Sequence, residues 1–128
     1  MSWKNTLLKS HPLGDITEYH GTLNLEKVLR EGIRGGLTRT RSNSHIPKEL
    51  RKATRITYTS DSIEEALSFA QGRAEELNIP LSNVGVVGVR TKNLKKPVEH
   101  IDYRWEERGA KVFVREGGIP AENLERVE

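Results

Sequence analysis

The chain has 128 residues, 34% hydrophobic and 30% charged, with a formal net charge of +3 and no cysteine. That is the length of one domain, and its periodic apolar segments exclude disorder. Without cysteine there are no disulfides, no thiol catalysis and no zinc–thiolate site, and no apolar run nears the roughly 18 residues of a membrane span.

Residues 1–14 close on the turn signal His11-Pro12-Leu13-Gly14 and are read as an N-terminal arm before a single domain over 15–128. Met1 to Leu8 lacks the long apolar core of a signal peptide, so a cytoplasmic location is expected. Asp15 to Gly21 is a short strand by loose alternation. Asn24 is a helix N-cap, Leu25, Val28 and Leu29 are spaced for one helical face, and Gly32 is a stop. Residues 34–47, rich in Gly, Ser, Thr and Arg, read as a loop. Pro47 to Ala53 suits a short helix with Pro47 in its first turn.

Arg55 to Thr59 is a β-branched and aromatic strand. Ser62 with Glu65 matches a capping box, and Ile63, Ala66, Leu67, Ala70 and Ala74 form the apolar stripe of a long helix ending before Asn78-Ile79-Pro80. Val84 to Val89 reads as a buried strand, Lys92 to Lys96 as a polar turn, and Val98 to Trp105 as a strand through Ile101 and Tyr103. Ala110 to Val114 is a further strand, Gly117-Gly118 a turn, Ile119 to Leu124 a helical turn, and Glu125 to Glu128 a final strand. Helices early and closely spaced strands late predict an α+β domain, mainly antiparallel, with two principal helices.

The four histidines, His11, His20, His45 and His100, are scattered, and none pairs with another at metal-ligand spacing. No phosphate-loop or nucleophile-elbow string occurs. The informative string is Glu18-Tyr19-His20-Gly21-Thr22. It brings an aromatic ring, an imidazole and a glycine to one strand end. Glycine permits close backbone approach, and His20 and Thr22 supply hydrogen-bonding groups suited to a ribose.

Tyr19-His20-Gly21-Thr22, followed by a helix closing on Gly32-Ile33, resembles the first motif of the ADP-ribosyltransferase superfamily. The resemblance implies a split antiparallel sheet around an NAD pocket, with NAD as substrate. His20 would bond the nicotinamide ribose, and the Gly21 backbone would hold the carboxamide. Ile56-Thr57-Tyr58-Thr59-Ser60, leading into the helix with Phe69, is similar to the second motif. By that similarity Tyr58, Ser60 and Phe69 line the pocket, with Phe69 or Tyr58 stacking on nicotinamide. Val112 to Leu124 resembles the closing strand and Ile-Pro segment. Transferase members carry a catalytic glutamate where that strand begins. This chain has Ala110 and Lys111 there, and the nearest acids are Glu106, Glu107 and Glu116, of which Glu107 and Glu116 are the candidates.

The expectation is NAD-dependent ADP-ribosyl transfer to RNA, DNA or a protein. Two alternatives stand beside it. One is a non-catalytic nucleotide- or nucleic-acid-binding module on the same fold. The other is an RNA 2′-phosphotransferase-like activity, since that branch shares the His-Gly-Thr motif, lacks the glutamate and binds phosphate through arginines. Arg34, Arg39, Arg41 and Arg55 are the candidate phosphate forks.

Overall fold

In the computed structural model residues 16–41, 45–100 and 110–127 are described. They form two helices and seven strands, all pairings antiparallel, so the α+β expectation holds. The strands are β1 (Glu18–Thr22), β2 (Gly36–Leu37), β3 (Arg55–Ser60), β4 (Gly85–Val89), β5 (Val98–His100), β6 (Val112–Glu116) and β7 (Leu124–Arg126). Their order across the sheet is β5-β6-β3-β1-β4-β7, with β2 paired to the first residues of β3. The helices are α1 (Leu25–Glu31) and α2 (Ile63–Glu76).

Local chemistry sets both helix starts. Asn24 Oδ1 accepts from the Lys27 N–H at 3.2 Å and Ser62 Oγ from the Glu65 N–H at 3.2 Å. The Ser62 N–H itself donates to Ser60 Oγ at 3.1 Å. Gly32 ends α1 at φ 87°, where its N–H reaches the Val28 carbonyl at 2.8 Å. The two helices cover opposite faces of the sheet. Leu25 packs with Val87, Val89, Ile119 and Leu124, while Ala66 packs with Tyr19, Val86 and Ile16.

Several boundaries differ from the sequence reading. The first strand runs Glu18–Thr22, and the Val84 strand begins at Gly85. The strand expected at Ala110–Val114 runs Val112–Glu116, and the last strand lies at Leu124–Arg126. The helical turns near Pro47 and Ile119 shrink to 3-10 turns at Lys48–Leu50 and Ala121–Asn123, each with a proline just ahead of it. The loop at 34–47 contains β2 and a 3-10 turn at Thr38–Thr40. Of the strand expected over Val98–Trp105, Val98–His100 is formed. Its remainder, through Ile101 and Tyr103, lies outside the described residues, as do the candidate acids Glu106 and Glu107 and the arm at 1–14. Among the described residues no helix is long and apolar enough to cross a membrane.

Candidate functional site

The sheet opens between β1 and β3. Each of these strands pairs over five residues on its other side, β1 with β4 and β3 with β6. Between them there is one registered pair, Tyr19 opposite Ser60. The alternation of an antiparallel ladder says where the free peptide groups point. The Arg90 N–H donates to the Asn123 carbonyl on the β7 side, so even-numbered residues of β4 face β7 and odd ones face β1. Gly21 stands opposite Val86, and its N–H and C=O therefore turn away from β4. On β3, the Arg55 carbonyl accepts from the Gly117 N–H on the β6 side, so Tyr58 and Ser60 face β1. Past the Tyr19–Ser60 pair, Gly21 and Tyr58 carry their peptide groups into the opening.

The His20 side chain closes part of that gap. Its Nδ1 donates to the Tyr58 carbonyl at 2.8 Å. A carbonyl only accepts, so the proton sits on Nδ1 and Nε2 keeps a lone pair. Burial holds the His20 pKa below the usual histidine value, opposed by the bond to the carbonyl. The ring is thus a neutral acceptor in a cavity of about 520 Å³, within the range of about 300–1,000 Å³ usual for small-molecule sites.

Two walls flank the cavity. One is α2, through Glu65, Ala66, Ser68 and Phe69, a residue that is 56% exposed. The other carries Arg41 and His45, with His100 from β5. The Arg41 guanidinium lies 5.0 Å from the centre of the Tyr58 ring, over its face. It fills the space that Gly36 leaves, where a Cβ would meet Arg41 Nη2 at 2.5 Å. The Tyr58 hydroxyl donates to the His45 carbonyl, and the His100 ring meets Tyr58 edge-on at 6.5 Å. Burial pushes the Tyr58 phenol up and Arg41 pulls it partly back, so the hydroxyl keeps its proton near neutrality.

Of the residues singled out from sequence, Tyr19, His20, Gly21, Tyr58, Ser60, Phe69 and Arg41 line this cavity. The others among the described residues do not line it. Thr22 is buried and its Oγ1 accepts from the Asn24 N–H at 3.2 Å, a bond that starts α1. Glu116 pairs with Lys95 at 3.6 Å and is not among the lining residues. Arg55 donates to the Gly35 carbonyl at 2.9 Å, and Arg34 and Arg39 are exposed. Gly21 also has a second duty. A Cβ there would collide with the Ala66 carbonyl oxygen and stand 2.9 Å from Ala70 Cβ, so the glycine lets α2 approach β1.

Sequence reasoning missed Glu65 as a lining group, and it is the one carboxylate among the described lining residues. It also missed a buried clamp between β1 and β6. Glu18 and Arg115, 4% and 5% exposed, form a bidentate pair, with Arg115 Nε donating to Glu18 Oε1 at 2.9 Å. Thr59 Oγ1 donates to the same oxygen at 2.7 Å, and Arg115 also reaches the Lys95 carbonyl. The clamp ties β1, β3 and β6 together where the β1–β3 ladder is shortest. Compared with protein-family models, curated proteins and solved structures, the chain matches none.

Proposed function

We propose that the cavity between β1 and β3 seats the nicotinamide–ribose end of NAD and that the chain uses it for ADP-ribosyl transfer. The observation that carries this is the pairing of His20 Nε2, held as an acceptor, with the outward-turned peptide of Gly21 in one cavity. A carboxamide presents one acceptor and two donors, which a backbone N–H and C=O complement. A ribose hydroxyl donates to Nε2. Phe69 supplies an aromatic wall, and Arg41 supplies a cation for a phosphate. Cleavage of the bond from ribose to nicotinamide leaves positive charge on the sugar, which a nearby carboxylate stabilises. Glu65, the carboxylate among the described lining residues, takes that part.

Arg41 favours a second reading. An arginine at the cavity, and Ala110-Lys111 just ahead of β6 with no carboxylate, suit transfer of an RNA 2′-phosphate to NAD, where a cation holds the acceptor phosphate. One assay separates the readings: nicotinamide release from NAD, followed with and without 2′-phosphorylated RNA. Release in both conditions supports ADP-ribosyl transfer. Release only with the RNA supports the second reading. NAD binding without release leaves a non-catalytic module, and neither binding nor release ends the proposal.

A further inference from the structure

Charge is distributed unevenly along this chain. Residues 34–55 hold seven of the 21 Lys and Arg but one of the 18 Asp and Glu, a net +6, which leaves −3 on all other residues. The fold gathers much of that charge on a closed lobe. The Thr38 N–H donates to the Thr54 carbonyl at 3.1 Å and its Oγ1 reaches the Ala53 and Thr54 carbonyls, pinning the neck of the loop. Ile46 and Leu50 turn inward against Ile56 and Val114. Arg39, Arg41, Lys48, Arg51 and Lys52 are exposed.

Elsewhere cations meet carboxylates, as in Arg30–Glu31, Arg73–Glu76, Arg90–Glu125 and Arg126–Glu26. Among the described residues, none of Arg34, Arg39, Arg41, Lys48 and Lys52 forms such a pair. Uncompensated like charge on one lobe is self-repelling and draws in an anionic partner. The lobe also lines the cavity through Arg41 and His45, and the same cavity is lined by the exposed Phe69 of α2.

We propose that this lobe docks single-stranded nucleic acid, with phosphates on Arg39, Lys48 and Lys52 and a base against Phe69 at the cavity mouth. Cations beside an exposed aromatic ring serve a single strand, whose bases are free to stack while its phosphates pair. A duplex keeps its bases stacked inside, and an acidic peptide has no comparable use for the ring. That the strand is the acceptor of the transfer rests on the proposed function; the docking does not.

The test is fluorescence anisotropy of short labelled RNA and DNA strands across a salt series, for the wild type and for Arg39→Glu/Lys48→Glu/Lys52→Glu. The wild type binds with a steep salt dependence. The triple variant, its fold checked by circular dichroism, binds at least about tenfold more weakly, and its double-logarithmic slope falls by about 0.7 for each phosphate that is no longer neutralised. Phe69→Ala weakens strand binding and leaves the slope unchanged. Absence of strand binding at low salt, wild-type behaviour of the triple variant, or equal affinity for a duplex or polyglutamate overturns the proposal. NAD titrated into the same triple variant binds as in the wild type, so failure of the docking and failure of the NAD site are read separately.

Discussion

The imidazole of His20 serves as an acceptor only while it is neutral, and its surroundings keep it so. Burial lowers its pKa from 6.5, so the unfolded chain takes up the proton first. The native state therefore has its full stability above about 6.5 and loses part of it as pH falls from there toward the folded pKa. A histidine-resolved NMR titration is expected to place the His20 midpoint below those of model peptides. His20→Ala is expected to remove part of the acid slope of stability in urea melts. A midpoint at or above the model-peptide value contradicts the assigned tautomer and burial. Other site residues were legible one at a time, because an aromatic, a histidine and a glycine at a strand end are a local pattern. Thr22 belongs to the same string, but its hydroxyl is taken by the Asn24 N–H, a use that sequence adjacency does not distinguish from ligand binding.

Elements whose causes are local were readable, and those whose causes are distant were not. Asn24, Gly32 and Ser62 set their helix ends through neighbours within a turn or two. β2 hides in a glycine-rich stretch because its existence depends on pairing with Ile56 and Arg55, far along the chain. The clamp joins residues 97 apart, with no pattern in either neighbourhood to announce it. Its energetics give a clear expectation. Arg115→Met leaves the Glu18 carboxylate buried without its counter-charge and costs about 3–5 kcal/mol. The double variant Glu18→Leu/Arg115→Met costs less than that single change, measured by denaturant unfolding. If the double change costs as much as both singles added, the two residues are not coupled as described. Gly21 makes a similar point about packing. Gly21→Ala drives a methyl into the Ala66 carbonyl, which helix hydrogen bonding holds in place, and costs about 3 kcal/mol.

Among the described residues, a seven-stranded antiparallel sheet opens along one seam, and most of the singled-out chemistry lies there. The fold class followed from the order and spacing of apolar segments. The opening did not, since it depends on β1 and β3 sharing one registered pair instead of a full ladder. It turns the Gly21 peptide and the His20 ring into a cavity and places Arg41, Glu65 and Phe69 on its walls. The proposed chemistry requires this cavity to take the nicotinamide end of NAD, with His20 Nε2 as an acceptor. Isothermal titration of NAD into the wild type and His20→Ala at neutral pH decides whether it does. The wild type is expected to bind, and the variant to bind about tenfold or more weakly, equivalent to about 1.4 kcal/mol, with its far-ultraviolet spectrum unchanged. Equal affinity in both proteins, or no heat of binding in either, would contradict that assignment.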